Sequence, residues 1–200
     1  LLPHAQHDHH SSRYHQMNTE IKHDSLKVIL RAIEPEDLDM IYDIENNPEV
    51  WNVSNTTMPY SRFALHEYIA NATGDIYTDK QVRLIITNQR NEFIGIIDLC
   101  NYSPQHQRAE VGIVIRKKYR DLGYGRAAMI EMMDYAHTIL HIHQLYVLVR
   151  VDNTYCIKLL TGVGFAIDGE LKDWIFDGDN YHNVYMMHFF CKKMPKSLVE

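Results

Sequence analysis

The sequence predicts an α+β domain: a mixed, mostly antiparallel central sheet flanked by about four helices. Two observations carry this. The runs "QVRLIIT", "EFIGIIDL" and "AEVGIVI" follow one another across connections too short for a parallel crossover, so they form an antiparallel meander. After them, helical and extended patterns alternate to the end of the chain. At 200 residues the chain most simply makes one domain with a sizeable core.

The elements read in order as follows. "LLPHAQHDHHSSRYHQ" is polar, rich in histidine and without periodicity, so residues 1–16 are an extension or expression remnant, with the domain running over 17–194 and a short tail over 195–200. "KVILRAI" is a strand, and "EPEDLDMIYDIEN" a helix whose acidic first turn suits the helix dipole. "NNPEVWNVSNTTMPY" is a loop or broken helix. A second helix, about Ser61 to Ala72, carries Leu65, Tyr68, Ile69 and Ala72 at helical spacing. Beyond the meander, Ala128, Met129, Met132, Met133, Ala136 and Leu140 share one helix face and are read as core. The strand "QLYVLVRV", a helix from about Asn153 to Val163, and the runs "FAIDGELKDWIF" and "NYHNVYMMHFF" complete the order.

Composition excludes several function classes. A formal charge of −6 argues against nucleic acid and is compatible with a cationic substrate. Apolar runs are too short to span a membrane and no secretory pattern opens the chain, so a cytoplasmic location is expected. Cys100, Cys156 and Cys191 are odd in number, lack metal-ligand spacing and are read as free thiols; no metal site is expected.

The chemistry begins at "YRDLGYGRAA". Gly123-Tyr124-Gly125-Arg126-Ala127-Ala128 fits the dinucleotide fingerprint G-x-G-x-x-A, but that fingerprint opens a parallel βαβ unit, and here the loop follows an antiparallel meander. The physical meaning survives a change of ligand. Glycines let backbone approach a bulky anion, N–H groups at a helix start point outward, and Arg120 and Arg126 add positive charge. A plain turn joining strand to helix is the alternative.

At these residues the chain resembles the GNAT N-acetyltransferases. Arg120-Asp121-Leu122-Gly123-Tyr124-Gly125 matches their phosphate loop Q/R-x-x-G-x-G/A, and "NTYCIKLLTGVGF" matches their N-(x)10-G-F pattern. Within that family, "MDYAHTILHIHQLYVLV" and "NQRNEFIGIIDL…RAEVGIVI" look like the spermidine N-acetyltransferases, while "GELKDWIFDGDNYHNVYMM" also resembles Rim-type enzymes that acetylate ribosomal-protein N-termini. The resemblance implies acetyl-CoA as co-substrate and direct transfer to a small-molecule primary amine, a polyamine ahead of a protein N-terminus, in a homo-oligomer. A non-catalytic acetyl-CoA sensor is the alternative from another class.

The same resemblance implies site residues. Donor binding falls to Arg120, Leu122, Gly123, Tyr124, Gly125, Arg126, Asn153 and Lys158, with backbone N–H near Val114 and Ile115 facing the developing oxyanion. Transfer needs a base, because an ammonium has no lone pair, and Glu110 stands where some members carry a strand carboxylate; an ordinary strand Glu is the alternative. The acid departs from the pattern. The usual tyrosine position holds Leu160, and Cys156, four residues earlier, is the candidate, with a small buried hydrophobe as its plainer reading. Tyr181 and Tyr185 could also reach the site from the last strand. Acceptor recognition is assigned to Trp51, Asp98 and Asn101, where spermidine enzymes carry glutamates at the last two. Glu34, Glu36, Asp37, Asp39, Asp43 and Glu45 make the first helix acidic, which the resemblance connects with a regulatory polyamine site and composition alone with a solvated face.

Overall fold

The computed structural model describes residues 26–47 and 58–199. The expected extension, the start of the domain at Met17, and Trp51 lie outside them. Among the described residues, seven strands form one sheet: β1 (Ile29–Ala32), β2 (Val82–Thr87), β3 (Phe93–Ser103), β4 (Arg108–Ile115), β5 (Gln144–Arg150), β6 (Ala166–Phe176) and β7 (Tyr181–Phe190), in the order β1-β2-β3-β4-β5-β7-β6. Every pairing is antiparallel except β4 with β5. The meander is therefore as the short connections require.

Among the described residues, four helices have eight residues or more: α1 (Leu38–Glu45), α2 (Arg62–Asn71), α4 (Tyr124–Thr138) and α5 (Thr154–Val163). Two are single turns, α3 (Ile76–Asp79) and α6 (Lys196–Val199), the second lying within the expected tail. α2 starts where Ser61 accepts the Ala64 N–H at 3.0 Å, and α3 starts where Asp75 accepts the Tyr77 N–H at 3.1 Å.

Each face of the sheet buries a different cluster. α4 lays Ala128, Met129, Met132, Met133 and Ala136 against Ile97, Leu99, Ala109, Val111, Leu145 and Val149, as its spacing predicts. Fully burying each such methionine or leucine contributes about 1.5–3 kcal/mol before entropy is counted. On the opposite face, Ile41, Ile44 and Leu65 of α1 and α2 cover Ile85 and Ile96, with Phe93 and Val114 packed against them. Beyond them that face carries Arg83, Asp98, Cys100 and Glu110, in places the strand register determines.

Candidate active site

Two features of the sheet make the site. First, β4 and β5 pair in parallel at Arg108↔Gln144, Ala109↔Leu145 and Glu110↔Tyr146, and no further, although β4 continues to Ile115 and β5 to Arg150. The strands splay apart beyond Glu110. Second, the β3–β4 register runs from Gly95↔Ile115 to Cys100↔Glu110, and the Arg116 N–H donates to the Ile94 carbonyl at 2.9 Å. Backbone groups alternate in direction along an antiparallel strand. Those of Val114 and Gly112 therefore turn towards β3, and those of Ile113 and Ile115 towards the splay. Val114, expected to turn its N–H to the donor, is thus directed at β3, while the backbone groups of Ile113 and Ile115 face the splay.

The loop after β4 leads into α4. Asp121 and Gly123 take left-handed backbone, φ 60° and 93°, and Gly123 serves as the N-cap of α4 with no side chain capping the helix. The first N–H groups of α4 thus have no intrahelical partner, and no acidic residue stands in that turn. Arg120 braces the loop by donating its Nε–H to the Ile115 carbonyl at 2.9 Å. Leu122 is exposed, and Arg126 half-buried. Tyr124 turns its ring to Tyr119, edge to face at 5.9 Å, and its hydroxyl towards the Asn88 amide, so only its backbone serves the loop.

Gly125 differs from Gly123. A Cβ there would point inward, 3.4 Å from Leu159 Cδ2 and 3.8 Å from Ile115 Cγ1, which are ordinary contact distances, so the packing of α4 admits a methyl at this position.

Across the splay, the side-chain oxygen of Asn153 accepts the Cys156 N–H at 3.1 Å and caps α5. Lys158 is exposed on that helix. Leu160 is buried in the α4-side core, and Cys156 packs against the same cluster. Burial pushes the Cys156 thiol above its ordinary pKa, which makes it a poorer proton donor. Tyr185 also packs against that core, while Tyr181 is exposed.

A polar row lies on the α1/α2 face. Cross-strand pairing places Arg83 beside Asp98, Asp98 beside Gly112, and Cys100, Glu110, Tyr146 and His188 in one row across four strands. The Asp98 carboxylate lies over Gly112, where a Cβ would come within 2.5 Å of Oδ1. Burial raises the Asp98 pKa and the charge of Glu110 adds to the rise, while Arg83 and the Gly112 backbone oppose it. The Asn101 amide donates to Glu110 Oε2 at 2.8 Å, and the Cys100 thiol approaches the same oxygen at 3.8 Å. Asp98, Asn101 and Glu110 are thus brought together, and Cys156 belongs to another part of the structure. Cys100 is a member the sequence reading passed over as a plain free thiol.

Three of the six acids expected on the first helix pair with arginines within the chain. Asp37 pairs with Arg31, Asp39 with Arg62, and Glu45 with Arg83.

A splayed strand edge, an uncapped helix start beside arginines, and the carboxylates of Asp98 and Glu110 on the adjoining face together fit a long, phosphorylated donor meeting a cationic acceptor. Comparison with known proteins agrees. Residues 27–166 match the acetyltransferase (GNAT) domain family. The chain is 28% identical over 167 residues to the spermidine N(1)-acetyltransferase of Vibrio cholerae, covering 84% of this chain and 95% of that one. It is 29% identical to the spermidine N(1)-acetyltransferase of Escherichia coli K12, covering 82% and 86%. Among solved structures, the Vibrio cholerae spermidine N-acetyltransferase in complex with CoA and spermine superimposes with a TM-score of 0.75 at 27% identity, covering 84% of this chain and 97% of that one.

Proposed function

Because the chain belongs to the GNAT acetyltransferase family, and so is an acetyl-CoA-dependent N-acetyltransferase, we propose that its acceptor is a polyamine such as spermidine. The observation that carries this reading is the pair Asp98 and Glu110, neighbours on one sheet face beside the splay. Two carboxylates a few ångströms apart attract an acceptor with more than one ammonium. The spermidine enzymes among the relatives lend support.

In this reading the donor's phosphates take the first N–H groups of α4, with Arg120, Arg126 and Lys158 adding charge, and its arm runs along the β4 edge at Ile113 and Ile115. Glu110 takes a proton from the ammonium. The freed lone pair attacks the acetyl carbon to form the C–N bond of a tetrahedral intermediate, the nitrogen sheds its second proton to solvent, and the C–S bond breaks with the sulfur leaving as thiolate. The backbone N–H groups on the splayed edge, at Ile115 and Ile113, supply the stabilisation of charge on the carbonyl oxygen. Cys156 is the residue that the family pattern offers for protonating the sulfur. Its raised thiol argues for solvent in that role.

Two coarser matters complete the reading. β6 stands at the sheet edge, exposed along most of its length, with Ile167, Trp174 and Phe176 open to solvent; a second copy of the chain suits that edge. The three free thiols suit a reducing, cytoplasmic setting.

Thiol release from acetyl-CoA with a panel of amines tests the proposal. Turnover with spermidine and spermine but not with peptides supports it. Turnover with N-terminal peptides alone makes the chain a protein acetyltransferase, and CoA binding without turnover on any amine makes it a sensor.

A further inference from the structure

We propose that Asn101 and Cys100 are positioning residues for Glu110, clamping its Oε2 atom so that Oε1 is the oxygen left to take the proton from the amine. This rests on the reading of Glu110 as the base. Both donors converge on one atom: Asn101 Nδ2 at 2.8 Å and Cys100 Sγ at 3.8 Å. An ionised carboxylate only accepts, so the amide nitrogen of Asn101 is the end that faces it.

Regular strand geometry forbids this convergence, because consecutive residues point to opposite faces. The backbone departs from regularity at this point. The β3–β4 register is unbroken up to Cys100↔Glu110 and shifts before Ser103↔Arg108, and within the shift Asn101 takes φ 49°. A bulge re-aims a side chain, and asparagine tolerates left-handed backbone better than most residues. The next residue anchors the bulge from behind: Tyr102 is buried, its N–H donates to the Lys80 carbonyl at 3.2 Å, and its ring meets Tyr77 edge to face at 5.8 Å. An unusual conformation held from both sides beside a row of charged residues is the pattern of a functional constraint.

The two donors differ in strength but not in constancy. Asn101 has no charge to lose, and the Cys100 thiol is pushed up to about 12 by burial and by the charges of Asp98 and Glu110, so it keeps its proton. The clamp therefore fixes which oxygen works.

The test is the split between kcat and KM for spermidine. Asn101→Gly keeps the left-handed backbone and deletes the amide; kcat is expected to fall by about tenfold with KM for spermidine within about threefold. Asn101→Asp sets a second carboxylate against Glu110 and lowers kcat further. Cys100→Ala lowers it less than Asn101→Gly, because a thiol is the weaker donor. The proposal is overturned if Asn101→Gly keeps the kcat of the unaltered chain, or if the variant only raises KM for the amine, which makes Asn101 a substrate contact. Glu110→Gln separates the two levels. If that variant keeps full activity, the base assignment fails; if it is inactive while Asn101→Gly turns over as the unaltered chain does, the clamp fails alone.

Discussion

Gly123 and Gly125 look equivalent in the motif, and the structure gives them different physics that substitution by alanine separates. Gly123 holds φ 93° at an exposed loop. An L residue in left-handed backbone costs about 1–2 kcal/mol. A Cβ added at Gly123 would also sit 2.9 Å from Leu26 Cδ1, the end of a flexible side chain that yields cheaply. Since the loop is exposed, the free protein relaxes out of the strained conformation at little expense, and the cost returns when CoA requires the loop to re-form. At about 1.4 kcal/mol per factor of ten, Gly123→Ala is expected to weaken CoA binding by about 5- to 30-fold. Gly125→Ala meets only near-ordinary contacts at Leu159 and Ile115, and the gain in helix propensity of up to about 1 kcal/mol offsets them, so CoA binding is expected to change by less than about threefold. Calorimetric titration with CoA, with thermal melts of the free proteins alongside, reads both quantities. If the two variants lose affinity equally, or if Gly123→Ala binds CoA as well as the unaltered chain, the division of labour argued from the backbone is wrong.

Three further outcomes are expected. Glu110→Gln should lower kcat by about 10²–10⁴-fold while its circular dichroism and melting curve stay unchanged. Cys156→Ala should keep kcat within about threefold, because a buried thiol with a raised pKa contributes packing and little acidity; a fall of a hundredfold or more on thiol-release assay restores it as the acid. Asp98→Asn should stabilise the fold and weaken the amine. The folded Asp98 binds its proton more tightly than the unfolded one, so stability is lost as pH rises from the ordinary carboxylate value through the raised one, and the cost is full at neutrality. Urea unfolding should show the variant ahead at about pH 7 and the gap closing towards about pH 4, with KM for spermidine up about tenfold or more.

What the sequence made legible were the features that local physics dictates. The meander followed from connection lengths, α4 from its stripe of methionines, and the turn that opens α4 from its glycines. What stayed hidden depends on register. Whether Val114 or Ile113 offers backbone to the splay turns on which β3 residue each faces, and residue identity does not encode that. The shift at Asn101 is hidden for the same reason, as is the partnership of Asn101 and Cys100 on one oxygen. The arginines facing Asp39 and Glu45, Arg62 and Arg83, lie far along the chain, so the acidic helix reads as more charged than it is. The single turn at Ile76–Asp79 did leave a signal, an aspartate at its start, that the periodicity window was too long to register.

The splay between β4 and β5 has an evolutionary consequence. A ligand gripped by main-chain amides is recognised by shape, and main-chain amides survive almost any substitution. With donor and acceptor placed as proposed, Ile113 and Ile115 can drift to other strand formers while the donor is still held, whereas the acceptor meets a handful of side chains on the α1/α2 face. Such a scaffold keeps one half of its reaction fixed and leaves the other half free to change, so a few replacements around Asp98 and Asn101 are the shortest route to acetylating a different amine.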